Sequence, residues 1–445
     1  MELLDLNFLL RFLPIFLLVY YFAPVKYKNG VLFAASLLFY FFNGWQNTLL
    51  LLCSLAVNYA AILLMSRRPR LLGWRRGWLL TAVLYNVGTL CYFKYASSAL
   101  PPGISFYTFT LLSADIDVYL RREMAPRSLT EMGVYGIMFP KLLSGPIVRF
   151  KDMAGQIRRR ATSVKKTEYG LSLIIVGLSF KVILADTIGI LWHDIQTIGF
   201  ESISTPLAWM GAAAYSVQLL FDFQGYSLMA IGLASMLGFE FPKNFDHPYR
   251  ARSISEYYRR WHISLGQWFK DYLYIPLGGN RMGLGRTCLN LLAVWAVTGI
   301  WHGTTANFLL WGGILGLFIV LEKCFLGRFL ERHKALSHLY VWLLIPLTWV
   351  IFAVTDFDSL RIYFTRLFPF WGGGIAVNET DWITRGQTYL PFFLGALAVS
   401  CPLADRLWEK YWSRLWAKAL LCVLFWVCIY QIVNGMHNPF RYFSF

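Results

Sequence analysis

Apolar runs of roughly 15–25 residues recur along this sequence from end to end, each long enough to cross or nearly cross a bilayer's hydrocarbon layer. Short gaps rich in Lys and Arg separate them. That spacing leaves few folds open. Backbone N–H and C=O groups in hydrocarbon must pair within the chain, which restricts a spanning protein to helices or a closed barrel. Barrel strands would read as short alternating segments with a much weaker apolar signal. The runs here are continuous, so the expected class is an all-α polytopic integral membrane protein. Its charged content of 15% lies well below the usual quarter or so of a soluble domain.

A formal net charge of +17 raises nucleic acid as a partner. The basic residues, however, are confined to the gaps, as the positive-inside rule and contact with anionic headgroups require. The expected partner is the lipid bilayer, and no nucleic acid is expected. The seven cysteines lie mostly within apolar runs, and no Cys or His cluster has metal-ligand spacing, so no metal is expected. The first run, 3–22, carries Arg11 and Pro14 and leads into KYKNG rather than a small-residue cleavage site. It reads as the first membrane helix, not a cleaved leader.

Two hairpins follow, turning at Asn43-Gly44 and at Pro101-Pro102-Gly103. They return the chain to loops holding Arg67, Arg68, Arg70, Arg75 and Arg76, then Arg121 and Arg122, which places those loops in the cytoplasm. The stretch 133–148 lies between two basic clusters, and a single crossing would export one of them. Pro140, Gly145 and Pro146 inside it predict a broken, re-entrant segment that lines a cavity. Runs at 170–192 and 207–237 cross next; Asp222 and Gln224 in the second read as interhelical hydrogen bonding. From 250 to 277 the composition changes. Ser253 with Glu256 fits a capping box. Trp261, Leu265, Trp268 and Tyr272 recur at helical spacing beside Arg259, Arg260 and Lys270, which predicts an amphipathic helix in the interface.

The run 288–322 is long enough for two helices, with Trp301-His302-Gly303 near the bend. In all, about eleven crossings and two re-entrant pieces are expected. No polar stretch is long enough for a separate domain, so 1–445 reads as one membrane domain. Its N-terminal hairpins occupy 1–130, a core 131–325, and C-terminal helices 326–445.

An ionisable group inside such a chain is costly and marks a functional site by default. His302 is the foremost case. Gly299, Gly303, Gly312 and Gly313 permit close backbone approach; Thr304, Thr305 and Asn307 offer hydrogen bonds; Trp301 and Trp311 offer flat walls. A polar pocket in an apolar wrapper can tune an imidazole as a general base near neutral pH, although a histidine that merely bonds a neighbouring helix would read the same way. His262 is ambiguous, since an amphipathic helix can carry it for packing. Asp271, between Phe269 and Tyr272, reads equally as a salt bridge to Lys270 or Arg281. The sequence has no GxSxG elbow, P-loop or HExxH. Intramembrane His and Asp are also the parts of a proton relay, which keeps proton-coupled transport open.

Six pieces together carry a resemblance: PPGISFYTF (101–109), FPKLLSGPIVRF (139–150), LLFDFQGYSLMAIG (219–232), RRWHISLGQWFKDYLYIPLGGNR (259–281), GIWHGTTANFLLWG (299–312) and the terminal NPFRYFSF. In that order they resemble the membrane-bound O-acyltransferase (MBOAT) family, in its bacterial branch typified by the alginate O-acetylation membrane protein. The resemblance implies a ring of tilted helices around a tunnel through the membrane, with the WHG histidine, His302, as the catalytic residue. It implies Asp271 as the family's second signature position. Acetyl-CoA from the cytoplasm would be the acyl donor. Arg259, Arg260 and Arg281 would suit its phosphates as well as they suit interface anchoring, with Trp261, Trp301 and Asn307 as further binding residues. The acetyl group would then reach an exported SGNH-type acetyltransferase and a polysaccharide synthesis and export machinery, from the bacterial cytoplasmic (inner) membrane. Alginate, cellulose, another exopolysaccharide and peptidoglycan are all admissible acceptors. D-alanyl transfer to teichoic acid is the enzymatic alternative, and a transporter or flippase the non-enzymatic one. Participation of His262 or Asp222 in catalysis is left open.

Overall fold

The structure, a computed structural model, describes residues 1–97, 99–371 and 378–435. His437 and the NPFRYFSF motif lie outside these described residues. All regular structure among them is helical, and the protein is an all-α polytopic membrane protein. Among the described residues, seven helices are long and apolar enough to cross a membrane, or eight if Asp381–Val399 and Pro402–Tyr411, bent by 71°, form one span. The expected eleven is not reached by this measure because several apolar helices are short. Lys28–Phe41 has 14 residues, which cover only about 21 of the roughly 30 Å of hydrocarbon. Phe8–Phe22 is likewise a shorter apolar helix.

By contact the chain forms two compact units: Met1–Val176 with Tyr226–Lys243, and Gly177–Gly225 with Asn244–Phe445. In the first, the stretch 133–148 is broken as its prolines predict. Leu129–Ile137 stops at Met138, a four-residue helix Phe139–Leu142 follows, and regular structure resumes only at Phe150. Residues 131–148 are all buried, so protein must satisfy the freed backbone. Tyr135 does part of this, with its hydroxyl 3.0 Å from the carbonyls of Thr110 and Val148. Helix contact in the same unit is close enough to require glycine: a Cβ on Gly170 or Gly232 would stand 2.4 Å from the other's carbonyl oxygen.

The second unit holds the charged block. Lys181 Nζ lies 2.5 Å from Asp186 Oδ1 and 2.8 Å from Asp222 Oδ1, all three side chains at most 2% exposed. Asp222 is therefore ion-paired to a lysine, a partner that the hydrogen-bond reading of its run did not include. The amphipathic segment is not one helix. It divides into Ile254–Arg260 and Ile263–Phe269, followed by a π-turn Lys270–Tyr274. The break falls at His262, whose φ of 45° is left-handed. Its apolar face survives the break: Trp261, Leu265, Trp268 and Tyr272 are all buried. The capping box forms, with Ser253 Oγ accepting the Glu256 amide at 3.0 Å and Glu256 Oε2 accepting the Arg252 amide at 2.9 Å.

Candidate active site

Two helices make the hairpin that presents His302. Gly283–His302 ends on the histidine, and Ala306–Leu321 starts after a three-residue reversal. His302 is thus the last residue of its helix, at a chain reversal rather than within a straight passage. The helices touch through Gly299 and Gly312. A Cβ on the first would meet the Phe308 carbonyl oxygen at 2.6 Å, and one on the second the Trp295 carbonyl oxygen at 2.6 Å. Gly313, by contrast, faces open space.

His302 is 6% exposed and lines a cavity of about 900 Å³ whose wall residues all belong to the second unit. Rings surround the imidazole. Trp301 lies at 4.5 Å between centroids, Trp311 at 5.0 Å and Phe352 at 5.1 Å. Trp311 and Thr298 share the cavity wall with it, as do Trp261 and His262. Elsewhere the wall is charged, with Arg252, Arg259, Lys270 and Lys323 alongside Glu256, Glu322 and Glu331. One cavity therefore joins an aromatic corner that holds an imidazole to a wall rich in cations.

His262 is fixed by Asn244, whose Oδ1 accepts from His262 Nδ1 at 3.1 Å and from Ser264 Oγ at 2.9 Å. Burial pushes the His262 pKa down to about 3, so its ring is neutral at ordinary pH. Partial burial raises the pKa of Glu256. Hydrogen bonds from the Arg252 amide and the Arg260 guanidinium outweigh it and hold the carboxyl below its usual range.

Glu322 is the wall residue that the sequence hid most completely. Its carboxylate accepts the amides of Ile254 at 2.6 Å and Ser255 at 2.9 Å, the Ser255 hydroxyl at 2.5 Å and the Tyr340 hydroxyl at 3.0 Å. In the sequence it is only the end of an apolar run. The signal that could have found it is a carboxylate in the π-turn Glu322–Leu326, a feature frequent at functional sites.

The residues expected at the site divide. His302, Arg259 and Trp261 line the cavity, whereas Asp271, Arg260, Arg281, Trp301 and Asn307 are not among its wall residues. Asp271 follows the wall residue Lys270 in the π-turn and is partly exposed. Arg260 pairs with Glu256 at 2.9 Å and Asp246 at 3.2 Å, so its charge is engaged within its own helix and the strand of chain before it. Trp301 packs against His302 itself. Asn307 Nδ2 donates to the carbonyls of Ile351 and Phe352, both at 3.0 Å, which ties the hairpin to Lys334–Ala353. Thr304 and Thr305 are exposed. The hairpin's polar contribution to the wall thus comes from Thr287 and Thr298 along its first helix and from Glu322 and Lys323 past its second, not from the turn threonines. No group of three or more His, Cys, Asp or Glu that could hold a metal ion occurs among the described residues.

Comparison with known proteins identifies the family. Probable alginate O-acetylase AlgI of Pseudomonas putida is 33% identical, over 98% of this chain and 99% of its own length. Peptidoglycan O-acetyltransferase of Helicobacter pylori is 30% identical, over 79% of this chain and 77% of its own. Teichoic acid D-alanyltransferase of Bacillus subtilis is 28% identical, over 47% of this chain and 55% of its own. Residues 37–354 match the membrane-bound O-acyltransferase family, and the chain belongs to that family and is an acyltransferase.

Proposed function

We propose that this protein takes acetyl groups from cytoplasmic acetyl-CoA and passes them through the membrane for O-acetylation of a cell-surface or secreted polysaccharide. The observation that carries the reading is His302 in the wall of a large cavity that also presents Arg252, Arg259, Lys270 and Lys323. Those cations suit the phosphates of coenzyme A, and the aromatic corner suits the thioester end. In the reaction the imidazole accepts the proton of an acceptor hydroxyl. The oxygen attacks the thioester carbonyl, the C–S bond breaks, and the coenzyme thiolate takes the proton back from the imidazolium. Asp271 is kept as an orienting acid that touches no reacting atom.

The relatives named for O-acetylation are more alike to this chain, and over more of it, than the one named for D-alanyl transfer, which favours acetyl over D-alanyl transfer. The protein would sit in the bacterial inner membrane with an exported SGNH-type acetyltransferase and the polymer's export machinery as partners. The test is release of free thiol from acetyl-CoA by the purified protein. General base catalysis is worth about 10²–10⁴-fold, so His302→Ala should lose at least about 100-fold. Equal release by the variant would remove His302 from the reaction, and no release by the wild type with any acceptor would favour transport.

A further inference from the structure

The aromatic corner around His302 is tighter than holding a histidine requires. The Trp311 indole stands at 87° to the imidazole with 5.0 Å between centroids, which is ring-to-ring contact. Phe352 meets the imidazole at 5.1 Å and 83°. Trp311 lines the cavity and is held from its other sides. It stacks on Trp349 at 5.7 Å, meets Phe352 at 5.2 Å and Trp295 at 5.9 Å, and is 1% exposed. Its neighbour Gly312 is pressed against the Trp295 carbonyl, so the backbone beneath the ring is pinned as well. Close-packed interiors resist even one added methylene.

An acyl carbonyl brought up to His302 must therefore place its alkyl end in whatever space remains beside the indole. On the indole side, an alkyl end longer than methyl is directed at a ring that four others hold in place. A chain turned the other way, along Thr298 and Val294 on the same wall, would compete with the thioester arm for the space by which it enters.

We propose that Trp311 is the specificity-determining residue that limits the transferred acyl group to one the size of acetyl. This rests on the acyl-transfer reading above and adds to it the residue that selects the donor. Trp311 makes no covalent contribution; it acts by occupying volume.

The experiment compares thiol release from acetyl-, butanoyl- and hexanoyl-CoA by the purified full-length protein, as kcat/KM for each. One methylene is commonly worth about 10–200-fold in a fitted apolar pocket, so the wild type should favour acetyl over butanoyl by at least about tenfold. In Trp311→Ala the butanoyl-to-acetyl ratio should rise by at least about tenfold, and in Trp311→Phe by less. The ratio is internal to each preparation, so partial loss of folded protein does not enter it. Phe325→Ala, a substitution on a 63%-exposed side chain that does not line the cavity, should leave the ratio as in the wild type. Wild-type turnover of butanoyl-CoA at the acetyl rate, or an unchanged ratio in both Trp311 variants, overturns the assignment. Wild-type protein that releases thiol from none of the three sinks the acyl-transfer reading itself, and the assignment with it.

Discussion

Glu322 Oε1 accepts the amide of Ile254 at 2.6 Å, across 68 residues of sequence. With its partner bonds to Ser255 and Tyr340, this carboxylate joins the start of helix Ile254–Arg260 to the end of the hairpin helix and to Lys334–Ala353. A negative group at a helix N-terminus is favourably placed. The helix so held carries Glu256, Tyr258 and Arg259, all in the cavity wall, so one buried acid sets the position of the wall that holds Arg259.

Glu322→Ala should therefore act on donor binding more than on the chemical step. Leaving two amides and two hydroxyls without this acceptor should cost about 2–4 kcal/mol of stability, and KM for acetyl-CoA should rise several-fold while kcat of the folded fraction changes less. Glu322→Gln keeps one acceptor oxygen and should fall between. Thermal unfolding in detergent and a full kinetic curve check both. A fall in kcat with KM unmoved would mean Glu322 belongs to the chemistry instead.

The buried triad of Lys181, Asp186 and Asp222 makes a prediction about order of severity. Lys181→Met leaves two carboxylates at most 2% exposed without their lysine, and stranding buried charge costs about 3–5 kcal/mol. Asp222→Asn removes one of the two acids and leaves Lys181 with Asp186, so it should cost much less. None of the three is a wall residue of the cavity. Thermal unfolding should rank Lys181→Met far below Asp222→Asn, with kcat of folded protein preserved in the latter. The reverse ranking would mean the lysine is not what holds the acids.

These residues also show what the sequence could and could not disclose. The apolar runs, the Ser253–Glu256 box, the break at Pro140 and the bend at WHG are local features, and each appears where its residues predict it. Lys181 reaches Asp222, Glu322 reaches Ile254 and Asn307 reaches Ile351 across tens of residues, and no local period announces such a pair. The break at His262 escaped because Trp261, Leu265, Trp268 and Tyr272 keep helical spacing through it. The apolar face is continuous although the helix is not. Asp271 and Arg281 lie in the motif block yet off the cavity wall, because closeness in sequence did not bring their side chains to one surface. Asp271→Asn should accordingly lower thiol release far less than His302→Ala, and equal losses would return it to the reaction.

His262 predicts a pH dependence. Its folded pKa, about 3, lies below the unfolded value near 6.5. Between the two the unfolded chain binds more protons, so stability rises with pH through that window. The contribution is fully present above about pH 6.5 and is lost as pH falls toward 3, with a slope approaching about 1.4 kcal/mol per pH unit. Unfolding midpoints from pH 7 to 4 should decline more steeply for the wild type than for His262→Gln, which removes the titrating ring. Parallel curves would show that His262 is protonated in the folded state.

The hairpin that carries His302 offers the sharpest contrast between two neighbouring glycines. A Cβ at Gly299 would stand 2.6 Å from the Phe308 carbonyl oxygen and 3.3 Å from the Leu309 Cα. Both are backbone atoms of the opposing helix and cannot rotate away. Gly299→Ala must therefore push the two helices apart at the turn that sets the imidazole against Trp311. Overpacking of this kind costs about 1–3 kcal/mol, and the displaced His302 should lower kcat further than the stability loss alone explains. A Cβ at Gly313 meets nothing within 4 Å, and alanine is the better helix former by about 1 kcal/mol, so Gly313→Ala should leave stability equal or higher and activity unchanged. Thermal unfolding and thiol release on the pair check this directly. If both alanines behaved alike, the glycine contact between the helices would not be what seats the histidine.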